Sequence, residues 1–189
     1  MISRAQAWQL LTSKMQNQNL RRHCLSVEAV MRALAKHFEV LSEVERWGIV
    51  GLLHDGDYEF TKEDPANHAK LMAQWVRDLG ENDQELLEGI ESHGWFHHGR
   101  QAQTQMQWAL FCCDELTGLI VACALVLPSK HLSDLSAQSV LKKFPQKSFA
   151  AGVKREDISQ CEEKLGIKLT DFVQLALSAM QSVANKIGL

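Results

Sequence analysis

SEVERWGIVGLLHDGDYE, residues 42–59, is the stretch that decides the fold. Its apolar residues recur at steps of three and four, the period of an α-helix with one buried face. Ser42 has a glutamate three residues later, which is the spacing of a capping box at a helix N-terminus. Gly56 breaks the pattern near the C-terminal end. The segment therefore predicts one buried helix that ends near His54, with Asp55 directly after it.

The same helical spacing continues on both sides of this segment, and the alternation typical of strands is scarce. Pro65 is placed in the first turn of one helix, Asn82 at the N-cap of another, and Pro128 after the longest one. A loop rich in glycine and histidine is predicted at 94–100. The chain is therefore predicted to be all-α. The other predicted helices lie near residues 3–18, 20–38, 65–79, 82–92, 102–126, 133–143, 155–165 and 170–187.

Composition is typical of a soluble globular protein, since 46% of the 189 residues are hydrophobic and 23% are charged. A formal net charge of -3 and a pI of about 6.2 provide no general attraction to nucleic acid or anionic lipid. Five cysteines without CxxC spacing argue against a zinc knuckle or a disulfide scaffold. A single domain over 1–189 is expected, with a core large enough to fold without a structural metal.

No segment predicts export or a membrane span. The first helix lacks the apolar stretch and the cleavage site of a signal peptide. The longest apolar run, at 116–127, has twelve residues and is too short to cross a bilayer. A cytoplasmic protein without a membrane partner is therefore expected, and the odd number of cysteines suits a reducing compartment.

Histidines and aspartates fall on the inward faces of the predicted helices. His23, for example, lies four residues before Val27 on the apolar face of its helix. Burial of an ionised group costs several kcal/mol unless a partner or a cation compensates, and a metal would satisfy the whole set. Taken singly, an inward histidine is more often a hydrogen-bonded core residue, so only the ordered set is specific. The predicted ligands are His23, His54, Asp55, His68, His93 and Asp114.

In chain order, these residues lie at His23 and within GLLHDGDYE, NHAKLMAQW, IESHGW and FCCDELTGLI. This ordered set resembles the HD-domain superfamily of metal-dependent phosphohydrolases. The resemblance covers about residues 20–127 and implies a helical bundle that contains the metal site. Residues 128–189 are expected to form additional C-terminal helices, which are similar to those of a small bacterial family of predicted HD hydrolases.

The resemblance also implies a ligand set. The implied ligands of a divalent metal are His23, His54, Asp55 and Asp114. In subfamilies with two ions, two further histidines bind the second ion, and His68 and His93 match their positions. We predict a binuclear centre in which Asp55 is shared. Mixed histidine and aspartate ligands without thiolate suit Mn, Fe, Co, Ni, Zn or Mg.

The implied activity is hydrolysis of a phosphate ester by metal-activated water, with Asp55 as the catalytic residue. The predicted substrate is a small phosphorylated molecule, with a nucleotide as the leading candidate. The Gly-Tyr-Pro extension of cyclic-dinucleotide phosphodiesterases is absent, and the acidic balance disfavours a nucleic acid polymer. The alternative is a catalytically silent HD domain that senses a ligand or binds a partner protein. The sequence leaves the oligomeric state open.

Other side chains are weaker candidates. Lys130 follows the most apolar helix and is predicted to contact the substrate phosphate. Trp95 is expected to line the pocket or to stack on a ring. Asp57 and Glu59 are candidates for acid/base chemistry, although a solvated acidic loop is the favoured interpretation. Exposed surface is also the favoured interpretation for two loop histidines, His97 and His98.

Overall fold

The computed structural model describes the backbone of residues 1–189 and every side chain except that of His98. The described chain is helical with no β-strand, which confirms the predicted all-α fold. Short 3-10 turns are found at Leu41–Glu43, Pro65–Asn67 and Leu132–Asp134. The helices are α1 Arg4–Lys14, α2 Gln18–His37, α3 Val44–Leu53, α4 Tyr58–Thr61, α5 Lys70–Asp78, α6 Gln84–Ser92, α7 Trp95–His98, α8 Gln105–Leu125, α9 Ala137–Lys143, α10 Arg155–Leu165, α11 Leu169–Gln181 and α12 Ala184–Ile187.

Helix α2 packs against α3, α8 and α11 and so lies at the centre of the fold. The side chain of Asn17 caps its N-terminus by accepting the backbone N–H groups of Asn19 and Leu20. Its buried side chains recur at steps of three and four residues, as expected for a helix with one apolar face. The fully buried ones include Cys24, Val27, Val30, Met31 and Leu34. Buried residues from Ile2 to Ile187 form one hydrophobic cluster.

The close approach of α3 to α2 depends on Gly51. A Cβ atom at this position would lie 2.9 Å from Met31 Cγ and 3.0 Å from the carbonyl oxygen of Val27. From this contact α3 continues to His54 while α2 runs back toward His23, and the Nε2 atoms of the two histidines are 3.2 Å apart. The glycine therefore lets the helices meet where both histidines lie.

Helix α8 carries Asp114 through the interior of the fold. It has 21 residues and is long and apolar enough to cross a membrane by length and composition alone. The helix is longer than the twelve-residue apolar run at 116–127. However, 56% of its most apolar window is buried inside the protein, and core helices of soluble proteins pass the same test. Helices α2 and α10 pack against it.

The segment before α5 differs from the prediction. The spacing predicts a helix over 65–79, but Pro65–Asn67 form a 3-10 turn and α5 begins at Lys70. Ala69 has a φ of 66°, in the left-handed region, so the helix does not extend back through it. His68 therefore lies outside the helix, and the helical periodicity assigned to it is wrong. Its position is set by tertiary contacts instead.

The predicted N-caps also shift. The capping box at Ser42 does not form, because α3 begins after a 3-10 turn and has no side-chain cap. Its glutamate, Glu45, instead accepts two hydrogen bonds from Arg32 on α2. At α6 the N-cap is Asp83 rather than Asn82. In both cases a neighbouring polar residue or a tertiary ion pair replaces the local signal.

The C-terminal helices belong to the same core as the rest of the chain. Helix α10 packs on α8, and α11 packs on α2. Ile158 and Phe172, one from each of these helices, are fully buried. The predicted helix over 170–187 is divided into α11 and α12, and the predicted loop at 94–100 contains the short helix α7.

Candidate metal centre

Four side chains from three parts of the chain meet at the C-terminal end of α3. His23 Nε2 lies 2.8 Å from Asp114 Oδ1 and 3.2 Å from His54 Nε2. The distance from His54 Nε2 to Asp114 Oδ1 is 3.5 Å. Asp55 Oδ2 lies 4.0 Å from the Nε2 atom of each of these histidines. The four residues therefore direct two nitrogen and two oxygen donors at one small volume.

A second group of donors lies on the other side of Asp55. Its Oδ1 atom is 3.2 Å from His68 Nε2 and 3.1 Å from His93 Nε2. His93 also faces the first group, because its Nδ1 atom is 3.8 Å from Asp114 Oδ2. The carboxylate of Asp55 thus has one oxygen toward each group. The structure brings together all six residues predicted as ligands.

Hydrogen bonds at the Nδ1 atoms fix how two of the rings face this cluster. His54 Nδ1–H donates to the carbonyl oxygen of Gly51 at 2.8 Å. The hydroxyl of Thr117 donates to the carbonyl of Asp114, which leaves it to accept from His23 Nδ1, 3.3 Å away. In both histidines Nε2 is therefore the ring nitrogen that faces the cluster, as in metal sites where a neighbour fixes the orientation of the ring.

Asp57 performs the same role for His68. Its Oδ1 atom accepts from His68 Nδ1 at 2.9 Å, and its Oδ2 atom accepts the N–H of Met72 at 2.9 Å. Asp57 is fully buried, so the interpretation of this residue as part of a solvated loop is wrong. Glu59 has a different role, because it accepts the N–H groups of residues 16 and 17 between α1 and α2.

The charges of the cluster stabilise one another. Burial alone would raise the pKa of Asp55, but hydrogen bonds from His68 and His93 hold it well below its usual range. Burial likewise opposes ionisation of Asp114, whose pKa is lowered by hydrogen bonds from two histidines. Although burial would lower it, the pKa of His68 is raised to about 9 by hydrogen bonds to two carboxylates. The site therefore holds anionic carboxylates that are compensated by positive charge.

The donor set fits a divalent metal ion. Bonds of about 2.0–2.2 Å from nitrogen and oxygen ligands place neighbouring donor atoms roughly 3–3.6 Å apart around one ion. The distances within the first group, from 2.8 to 4.0 Å, span this range. Three sets of three residues each offer donor atoms within 4.8 Å of one another, and Asp55 belongs to two of them. These groups could hold a metal ion.

A cleft of about 270 Å³ leads from the surface to the cluster. Four of the six clustered residues line it, together with aromatic rings from α7 and α8. Trp95 is among these rings, as expected from the sequence, and Tyr58 lies at the same opening. The volume of the cleft is close to the lower end of the range of small-molecule pockets. The clustered residues that line the cleft are Asp55, His68, His93 and Asp114.

The structure does not bring Lys130 to this cleft. Lys130 is exposed and follows the C-terminal end of α8. Asp114 lies halfway along that helix, about 16 Å from its C-terminal end by the helical rise. Lys154 lines the cleft instead, with its Nζ atom 3.7 Å from the centroid of the Phe96 ring. Its backbone N–H donates to Glu115 Oε2 at 3.1 Å.

Several side chains around the site were not identified from the sequence. Thr117 could have been found, because it lies three residues after Asp114 on the same helix face. Lys154 carries no local signal, because it reaches the cleft only through the packing of α10 on α8. His97 is exposed at the cleft, in agreement with its predicted exposure, and the side chain of His98 lies outside the described residues.

Comparisons with known proteins do not add to this picture. No family model, no curated protein and no solved structure matches the chain. The functional assignment therefore depends on the geometry and chemistry of the residues themselves.

Proposed function

We propose that this protein is a metal-dependent phosphohydrolase of the HD-domain type, acting on a phosphate ester of a small molecule. The observation that carries the proposal is the position of Asp55. Its two carboxylate oxygens face two separate donor groups, one with His23 and His54 and the other with His68 and His93. A shared carboxylate between two nitrogen-rich groups is the arrangement expected for a pair of divalent ions.

The residues divide into two ligand sets in this proposal. His23, His54 and Asp114 hold one ion, His68 and His93 hold the second, and Asp55 contributes to both. A divalent ion supplies a Lewis acid for a phosphate oxygen and lowers the pKa of water toward neutrality. The absence of thiolate among the donors suits Mn, Fe, Co, Ni, Zn or Mg.

One backbone carbonyl and two side chains position the histidine rings. Gly51, Thr117 and Asp57 hold three of the histidine rings through their Nδ1 atoms, so each Nε2 atom faces the cluster. The amine of Lys154 lies at the cleft and can attract an anionic substrate. Aromatic rings around the opening exclude water from the bound substrate. The substrate enters by this cleft, and a nucleotide remains the leading candidate.

The test begins with the metal content of protein purified without chelator. Hydrolysis of 4-nitrophenyl phosphate and of a panel of nucleotides is then measured with each of the six metals. We expect turnover that is lost on chelation and restored by one of these ions. Asp55→Asn should remove turnover, whereas Asp78→Asn, which changes an exposed aspartate on α5, should not.

Two results would contradict the proposal. One is a metal content of zero after incubation with each ion in excess. The other is tight metal binding with no turnover of any phosphorylated compound in the panel. The second result would favour the alternative function, a silent domain that senses a ligand or binds a partner protein.

A further inference from the structure

The cleft at the candidate metal cluster adjoins a second cavity. This cavity has a volume of about 480 Å³ and lies between the α7 region, α8 and α10. Five residues line both cavities, so a ligand that extends from the metal end toward α10 would contact these shared residues. The shared residues are Trp95, Phe96, Phe111, Lys154 and Asp157.

Three of the five shared residues are aromatic, and aromatic rings form part of the wall of this groove of two adjoining cavities. The rings of Trp95 and Phe111 have centroids 5.7 Å apart, and Trp108 meets Phe111 edge to face at 5.4 Å. Phe96 stacks beside Trp95 at 4.0 Å and is 53% exposed. Aromatic side chains that remain partly exposed to solvent are the usual platform for a flat apolar group.

The charges of the groove do not favour a second phosphate. The amine of Lys154 lies over the ring of Phe96 and that of Lys164 lies over the ring of Trp108. Glu156 and Asp157 line the second cavity beside these two lysines, so positive charge has no excess there. At the metal end Glu115 adds a further acidic group. An uncharged group is therefore the better occupant.

The polar amides of the groove add hydrogen-bonding capacity. Gln107 is buried, and its Oε1 atom accepts the N–H of Gln103, which leaves its amide nitrogen as a donor at the cleft. Gln160 lines the second cavity from α10. A flat ring with polar edges can use both the ring faces and these amides.

We propose that this aromatic groove binds the leaving group of the substrate and selects phosphate esters of planar ring compounds. The inference rests on the proposed function, because it places the phosphate at the metal cluster and the ring between α7 and α10. Phe96 and Phe111 are the specificity-determining residues in this assignment. Esters of small aliphatic alcohols would fill the metal end only and leave the rings exposed to water.

The test compares two phosphonates, which resist hydrolysis and so report binding alone. Dissociation constants of 1-naphthylphosphonate and methylphosphonate are measured by calorimetry with manganese-loaded protein. We expect the naphthyl compound to bind at least tenfold tighter, a difference of about 1.4 kcal/mol. Turnover of 1-naphthyl phosphate and glycerol 3-phosphate should show the same preference in kcat/KM.

Two phenylalanines of similar exposure provide a matched pair of variants. Phe96→Ala should weaken binding of 1-naphthylphosphonate at least fivefold and change methylphosphonate binding less than twofold. Phe60→Ala should change neither, because Phe60 is 56% exposed and packs on Trp75 outside both cavities. Phe111→Leu should also reduce the naphthyl preference, and it retains an apolar side chain on α8.

The outcomes separate this inference from the proposed function. Equal affinities for the two phosphonates, or a preference that Phe96→Ala and Phe111→Leu leave intact, would overturn the aromatic site while the phosphohydrolase assignment stands. Failure of both phosphonates to bind, together with no turnover of either ester, would overturn both proposals. Tighter naphthyl binding that depends on Phe96 but not on Phe60 would support the site.

Discussion

The Oδ1 atom of Asp57 lies 2.9 Å from the Nδ1 atom of His68, and this contact holds a histidine that no helix positions. The second carboxylate oxygen of Asp57 accepts the first-turn N–H of Met72 on α5. A buried aspartate thus connects the start of α5 to the candidate metal cluster. In metal sites such a partner sets both the tautomer and the direction of the histidine ring.

The first prediction concerns this contact. Asp57→Asn should lower the affinity for divalent metal by about 10–100-fold, because an asparagine amide cannot accept from both His68 and Met72. Titration of the metal-free protein with Mn²⁺ measures the change. Glu59→Gln is the matched control, since Glu59 caps backbone N–H groups between α1 and α2 and should leave metal affinity unchanged. Equal affinities in the two variants would contradict the role of Asp57.

The second prediction separates one ion from two. His68→Ala should reduce bound metal from about two ions per chain toward one and lower turnover at least tenfold, about 1.4 kcal/mol on the barrier. Elemental analysis after removal of free metal gives the stoichiometry. His131→Ala, which changes an exposed histidine, should bind as much metal as the unaltered protein. An unaltered protein that saturates at one ion with full activity would rule out a second centre.

The third prediction tests the centre as a whole. Replacement of His54 and Asp55 together by alanine should abolish tight metal binding, because both donor groups then lose a ligand. Circular dichroism should show that the helices remain, since the hydrophobic cluster that holds them extends from Ile2 to Ile187. A double variant that retains its metal would show that the ligands lie elsewhere.

The fourth prediction concerns the contact between α2 and α3. Gly51→Ala should destabilise the protein by about 1–3 kcal/mol, because the added methyl group would overlap Met31 and the backbone of α2. Denaturant unfolding measures the loss. Gly152→Ala provides the control, because a Cβ atom at Gly152 meets nothing within 4 Å. Equal stabilities of the two variants would mean that the helices can separate without penalty.

The fifth prediction concerns stability in acid and involves a residue outside the cluster. Burial would raise the pKa of Glu81, but backbone N–H groups of Asp83, Ile2 and Asn82 lower it below its usual value. A lowered folded-state pKa contributes stability above the unfolded pKa of about 4.3, and this contribution is lost as the pH falls through the folded value.

Glu81→Gln should therefore reduce stability at pH 7 by about 1 kcal/mol and make the decline in stability below about pH 5 shallower. Thermal unfolding across this pH range gives the comparison. Glu63→Gln, at an exposed position, should follow the curve of the unaltered protein. A Glu81→Gln curve parallel to that of the unaltered protein would contradict the shift.

Local signals predicted the helices well where periodicity was strong and failed where tertiary contacts replaced them. The buried face of α2 and the length of α8 agree with their apolar spacing. The start of α5 does not, because a positive φ at Ala69 and the bond to Asp57 determine the path of the chain around His68. The capping box predicted at Ser42 fails for the same reason, because its glutamate, Glu45, pairs with Arg32 on the neighbouring helix α2.

Most of the candidate ligands were identifiable because burial of charged or chargeable side chains along apolar helix faces requires a counter-charge, whereas His68 was assigned to a helix that does not extend to it. The residues that surround the ligands were harder to identify from the sequence. Asp57 resembles a loop aspartate in the sequence and is fully buried in the fold. Lys130 follows the helix of Asp114 in the chain, but the direction of α8 places it away from the cleft, which Lys154 lines instead.

The sequence by itself determined that the chain is helical and that His23 and Asp114 lie on the inward faces of their helices, because both properties depend on residues three or four positions apart. Only the tertiary structure decided how these side chains meet. His23 and Thr117 are 94 residues apart in the chain, and their contact depends on the packing of α2 against α8. Asp55 faces two donor groups because it lies in the turn after α3, between helices that no local pattern relates to one another.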